Sequence, residues 1–137
     1  MPLVKINLRK GRSAQEKDAM AAAVQAALVS SLAVSDADRW QVFNEYDEAN
    51  FRHTSGYLGM TYTEQLLVIE ITRGGLPALD DEIKKSLFAD INRNLVSAGV
   101  VRGDDVFVMI TEIGRANISF GQGLAQRAPD TQQAGLT

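Results

Sequence analysis

LVKINLRKG (residues 3–11) and LLVIEITRGG (residues 66–75) are two versions of one segment, an apolar strand that ends in arginine and runs into glycine. In the first copy Val4, Ile6 and Leu8 alternate with Leu3, Lys5 and Asn7, the period of two of a strand with one buried face. Sliding one copy over the other sets Arg9 opposite Arg73 and Gly11 opposite Gly75. The match continues downstream, where SDADRWQVFNE (35–45) falls on VRGDDVFVMITE (101–112) with slight slippage.

Each copy leads into a helix and then a further strand. After the first, Ser13 and Glu16 make an S-x-x-E capping box, a start signal because each side chain satisfies a backbone N–H that the first turn leaves open. The helix it opens carries Met20, Val24, Ala27, Leu28 and Ser31 on one face, and its many alanines suit close packing on a sheet. VSDAD (34–38) turns the chain into a strand, RWQVFNEY (39–46). After the second copy, GGLP (74–77) turns into a helix beginning near Asp80, whose acidic opening complements the positive end of the helix dipole. Ile83, Leu87, Phe88, Ile91 and Leu95 follow helical spacing, and Gly99 stands where a C-terminal cap belongs. DDVFVMITEI (104–113) closes the unit as a strand.

Two β-α-β units in tandem predict an α/β (α+β) fold with a four-stranded sheet and both helices on one face, because crossovers between parallel strands are right-handed. The chain reads as a single domain over 1–137, with pseudo-repeats at about 2–48 and 65–114 and a C-terminal arm over 115–137. The linker DEANFRHTSGYLGMTYTE (47–64) holds a few aromatics but no helical pattern that would cover the second face, so that face predicts self-association. The polar tail RAPDTQQAGLT (127–137) reads as a mobile end or as an arm on a neighbouring subunit.

Composition narrows the chemistry. With 137 residues and 45% hydrophobic content the chain can bury one core. It has no cysteine and one histidine, His53, so thiolate or histidine-rich metal sites are not expected. The formal charge of −3, without a basic run, argues against sequence-independent binding to nucleic acid or to an anionic membrane. AMAAAVQAALVSSLAV (19–34) is the most membrane-like stretch, but Gln25, Ser30 and Ser31 interrupt it and QEKD precedes it, so it reads as a helix of a soluble protein in a cytoplasmic setting. GQG (121–123) lacks the strand-to-helix context of a phosphate loop, and no organic cofactor is expected.

The opening MPL, GR (11–12), DADRWQ (36–41), ITR (71–73) and NISFGQG (117–123) together resemble the tautomerase superfamily, and within it the malonate semialdehyde decarboxylase branch. The resemblance covers nearly the whole chain and implies the trimeric fold of the macrophage migration inhibitory factor type. It also implies a role for Pro2. As the first residue of a strand, proline does little harm through its missing N–H. Removal of Met1 would instead make its nitrogen a free secondary amine, able to move protons where an amide cannot.

The resemblance assigns the remaining site residues. Arg73, which could otherwise be a surface arginine at a strand end, becomes a carboxylate clamp, since a guanidinium can hold both oxygens of an acid. Asp38, which could simply cap the turn before the second strand, hydrogen-bonds near the prolyl amine or orients a water. Phe120, Trp40 and Ile118 form an apolar wall that strengthens electrostatic attraction by excluding water. The sequence departs from the pattern at two places. Where the decarboxylases have arginine, one residue, arginine, this chain reads Arg73, Gly74, Gly75, and Ile118 stands where they have tryptophan. The expected consequences are more open space and one cation fewer, leaving the Pro2 amine harder to deprotonate.

The implied function is acid–base catalysis by Pro2 on a small oxo-carboxylate in a homotrimer, by enol–keto tautomerisation or by decarboxylation of the malonate semialdehyde type. The alternatives are a hydratase or dehalogenase of an unsaturated acid, with Asp38 activating water, and a non-catalytic trimeric binding module.

Overall fold

The computed structural model describes residues 1–75 and 78–129. In chain order its main elements are β1 (Pro2–Arg9), α1 (Ala14–Leu32), β2 (Gln41–Tyr46), β3 (Gly56–Tyr57), β4 (Met60–Thr61), β5 (Leu67–Gly74), α2 (Asp81–Ser97) and β6 (Val106–Ile113). Four strands form one sheet in the order β2-β1-β5-β6. β2 lies parallel to β1 and β6 parallel to β5, while the two central strands run antiparallel. Each crossover therefore joins two parallel strands through a helix, and the two β-α-β units meet along the antiparallel pair β1 and β5.

Alternation decides which face each strand buries. Val4, Ile6 and Leu8 of β1 and Leu67, Ile69 and Ile71 of β5 pack in one cluster with Met20, Val24, Ala27 and Leu28 of α1 and Leu87, Ile91 and Leu95 of α2. Complete burial of an aliphatic side chain of this size stabilises by roughly 1.5–3 kcal/mol, against about 0–1 kcal/mol for an exposed pair such as Lys85 with Glu82. The apolar seam therefore dominates the stability. Ser31 does face α2, where its hydroxyl donates to Asp90 at 2.6 Å. Ile83 lies outside the seam, largely exposed.

The helix ends follow the local signals. Ser13 and Glu16 complete both halves of the capping box, and Asp80 caps α2 by accepting from the N–H of Ile83 at 2.8 Å. Gly99 takes a φ of +72° after α2, a conformation that favours glycine. The second strand begins at Gln41, two residues later than the sequence pattern suggests, yet the Trp40 carbonyl still accepts from Val4 N–H at 2.8 Å.

The linker contains a hairpin that its sequence did not announce. Leu58 and Gly59 both have positive φ, +49° and +84°, which is how a two-residue turn matches the twist of its strands. Usually Asn-Gly or Asp-Gly marks such a turn, and here leucine occupies the first position. Asp104 and the fully buried Asp105 hold the hairpin by accepting from the N–H groups of Thr61 and Thr63 at 3.0 and 2.8 Å.

The sheet face opposite the helices stays open, with Val42, Phe107 and Met109 exposed by 40–46%. Among the described residues no helix is long and apolar enough to cross a membrane.

One buried polar side chain links the core to the loop before β2. Gln25 of α1 is 1% exposed, and its Nε2 lies 3.4, 3.4 and 3.2 Å from the carbonyl oxygens of Ser35, Asp36 and Asp38. Substituting Gln25→Leu removes the donor and leaves those carbonyls short of a partner, at a cost of about 1–3 kcal/mol. Denaturant unfolding should show that loss, together with faster amide exchange across residues 35–38.

Candidate active site

Antiparallel pairing of β1 with β5 makes Pro2 the register partner of Arg73. The beginning of the chain and the arginine at the far end of β5 thus meet at one end of the sheet. Arg9, which matches Arg73 in sequence, lies by the same pairing at the opposite end, where its Nη2 donates to the Phe51 carbonyl at 3.2 Å. The internal repeat is real in topology, and the antiparallel join separates its two arginines.

Asp38 lies against the chain start. The amino group of Met1 donates to its Oδ2, and the Trp40 indole N–H donates to its Oδ1 at 2.7 Å. The hydrogen bond from the chain-terminal ammonium is the main reason its carboxyl sits below the usual range, against the opposing effect of burial; Trp40 and the charge of Arg127 add to it. Asp38 therefore does more than cap a turn, and it remains 32% exposed.

Arg73 is held by its neighbour on β6. Its Nη1 donates to Glu112 Oε2 at 3.2 Å, and the same carboxylate accepts from the Leu79 N–H at 3.0 Å and pairs with Lys84 at 3.4 Å. The Leu79 hydrogen bond is the largest influence lowering the Glu112 carboxyl, followed, after opposing burial, by Lys84 and then Arg73.

A cavity of about 160 Å³ opens at this corner, lined by Met1, by Arg73 with Gly74 and Gly75, and by Ile118 and Phe120. Arg115 and Arg127 also line it. Trp40 stands behind this wall, its ring centroid 6.2 Å from that of Phe120. Of the residues expected from sequence, Arg73, Ile118 and Phe120 line the cavity directly, while Pro2, Asp38 and Trp40 adjoin it through the chain start. A larger cavity of 260 Å³ around Arg9 and Arg12 offers no chain terminus, and Arg12 there already pairs with Glu16 and the Val100 carbonyl at 2.7 and 2.5 Å. Among the described residues no group of three or more His, Asp or Glu could hold a metal ion.

Two family profiles, both described as tautomerase enzyme, match residues 38–121 and residues 2–53. The probable tautomerase YusQ of Bacillus subtilis (strain 168) is 31% identical over 126 residues, covering 92% of this chain and 98% of the relative. The chain belongs to the tautomerase family. FG41 malonate semialdehyde decarboxylase, solved in a form inhibited by 3-bromopropiolate, is 35% identical with a TM-score of 0.77 over 90% of this chain and 92% of its own. A second malonate semialdehyde decarboxylase superposes with a TM-score of 0.81 at 22% identity, over 90% and 94% of the two chains. A fused 4-OT solved as a symmetric trimer shares the fold at a TM-score of 0.70 and 20% identity, over 89% and 94%. The protein is thus an enzyme of the tautomerase superfamily, in the branch that includes the malonate semialdehyde decarboxylases.

One of the two departures of this tautomerase from the decarboxylase pattern, Ile118, is in contact with the residue between Arg73 and Gly75. A Cβ on Gly74 would fall 2.3 Å from Ile118 Cδ1, so the glycine after Arg73 and the isoleucine in place of tryptophan fit one another. Gly75 has a φ of +138°, which an arginine side chain at that position would rarely adopt. The expected loss of a cation is corrected by the fold: Arg115 and Arg127 bring guanidinium groups to the same cavity from the segment after β6. Sequence reading missed both. Arg115 had a usable signal, since it follows the end of β6 much as Arg73 ends β5, whereas Arg127 stood in a stretch read as a polar tail. The rest of that tail, 130–137, lies outside the described residues.

The charge on Glu112 gives this corner a pH signature. A carboxyl whose folded pKa lies below its unfolded value of about 4.3 contributes stability above that pH and loses it as pH falls through the folded value. Thermal melts should therefore show the wild type losing Tm more steeply than Glu112→Gln as pH drops from about 5 to 3, with the variant the less stable of the two at neutral pH.

Proposed function

We propose that this tautomerase, once Met1 is removed, uses the Pro2 amine as an acid–base group on a small oxo-carboxylate held by Arg73, in a homotrimer. The observation that carries the reading is the convergence at one corner of the chain start, the Asp38 carboxylate that accepts from it, and Arg73 in register with Pro2. The open apolar face around Val42, Phe107 and Met109, together with the trimeric assembly of the fused 4-OT, supports a trimer.

Asp38 favours decarboxylation over base-catalysed tautomerisation, because an adjacent negative charge stabilises a protonated amine. The protonated Pro2 donates a hydrogen bond to the C3 carbonyl oxygen of a 3-oxo acid while Arg73 binds the carboxylate. The bond between C1 and C2 breaks, carbon dioxide departs, and its electron pair moves through C2 to give an enolate stabilised by the ammonium. C2 then takes up a proton. Phe120 and Ile118 keep water from the separating charges, and Trp40 holds Asp38 in place through its indole N–H. The partial exposure of Asp38 favours a second reading, in which the same carboxylate orients water for addition to an unsaturated acid.

The test is a proton NMR time course of malonate semialdehyde with methionine-free protein and its Pro2→Ala variant. Acetaldehyde should form with the wild type and fall by at least about 10²-fold in the variant, the range lost with a general acid or base. Equal rates for the two proteins, or no product from either, would overturn the reading. Asp38→Asn separates the two reactions, since hydration of an alkynoate should cease while some decarboxylation persists.

A further inference from the structure

The end of the sheet away from Pro2 holds two adjoining cavities, of about 260 and 220 Å³, that share Arg9, Lys10, Glu64 and Gln65. Two cations of that region are already matched, Arg12 by Glu16 at 2.7 Å and Lys10 by Asp47 at 3.1 Å. Arg9 and Glu64 both line both cavities, yet among the described residues neither has an ion-pair partner. Arg9 donates through Nη2 to the Phe51 carbonyl at 3.2 Å, while its Nε is buried without a hydrogen-bond partner. Both groups stand on fixed backbone. Arg9 ends β1 as the register partner of Tyr46, and the next N–H, that of Lys10, donates to the Tyr46 carbonyl at 2.9 Å. Glu64 lies in a turn closed by the Leu66 N–H on the Thr63 carbonyl at 3.2 Å, and Thr63 gives its N–H and hydroxyl to the buried Asp105 at 2.8 and 2.5 Å.

We infer that these cavities form a binding site for a small zwitterion, a free amino acid whose carboxylate meets Arg9 and whose ammonium meets Glu64. Charge decides the ligand class. A simple carboxylate would satisfy Arg9 but lie beside Glu64, and beside Glu48 in the second cavity, whereas a simple amine would meet the carboxylates and leave Arg9 unmatched. A ligand with both charges pairs each group. Arg9 also gives up nothing at Nε by turning to a ligand oxygen, since that donor has no acceptor within the protein. The site is remote from the candidate active site: β1 runs eight residues from Pro2 to Arg9, which at ~3.4 Å per residue separates the two ends by roughly 24 Å. The inference therefore stands apart from the reaction proposed for Pro2.

The experiment is a titration followed by amide proton and nitrogen NMR shifts, with L-alanine as the probe and propionate and ethylamine as its single-charge analogues. L-alanine should give saturable shifts at residues 9–11, 46 and 63–66, and each analogue should bind at least about tenfold more weakly, the loss of one charge-assisted contact. Glu64 is exposed and its side chain holds no other group, so Glu64→Gln leaves the fold intact and should weaken L-alanine at least about tenfold while sparing propionate. Arg9→Gln should weaken both L-alanine and propionate, and Pro2→Ala should change neither. Absence of saturable shifts, shifts confined to the Pro2 and Arg73 end, an analogue that binds as tightly as L-alanine, or unchanged L-alanine affinity in Glu64→Gln would each overturn the inference.

Discussion

The antiparallel register between β1 and β5 is the constraint on which the site depends. It places Pro2 against Arg73 and, by the same ladder, Val4 against Ile71 and Ile6 against Ile69 in the core. Because side chains alternate across a sheet, a one-residue slip would turn that apolar row to the open face. Burial of those residues therefore holds the register, and the register brings the chain start to the strand-end arginine. Positioning of the candidate site follows from the packing of the core.

Around that fixed pair, the charges come from separate parts of the chain. Asp38 arrives on a loop that Gln25 ties to α1, Glu112 arrives from β6, and Arg115 and Arg127 arrive from the segment beyond it. Three charges at this corner are steadied by another group: Asp38 by Trp40, Arg73 by Glu112, and Arg127 by the ring of Phe120. Fixed charges and dipoles of this kind need little reorganisation during a reaction, which suits the chemistry proposed for this corner.

Much of the fold was legible because it is repeated and periodic. Period-two strands, the capping box at Ser13 and Glu16, the acidic start of α2 and Gly99 each report local chemistry that needs no distant partner. The hairpin at Leu58 and Gly59 escaped notice because its turn uses leucine at a positive φ. In the site, Arg73 and Asp38 were visible through the motifs around them. Arg127 and Gln25 were not, since an arginine in a polar tail and a glutamine in an alanine-rich helix acquire meaning only when the fold brings them to Phe120 and to the loop of residues 35–38. Gly75 tells only of the residue at its own position, and the approach of Arg115 and Arg127 to the same cavity from another segment is a property of the fold.

The central claim is that a free amine at position 2 does the chemistry, and the most direct measurement changes nothing else in the protein. One preparation retaining Met1 is assayed for turnover before and during its removal by an aminopeptidase, with the fraction of chains beginning at Pro2 followed by mass spectrometry. The account predicts turnover that begins near the uncatalysed level and rises in proportion to that fraction. Equal turnover by chains that keep Met1 would contradict it.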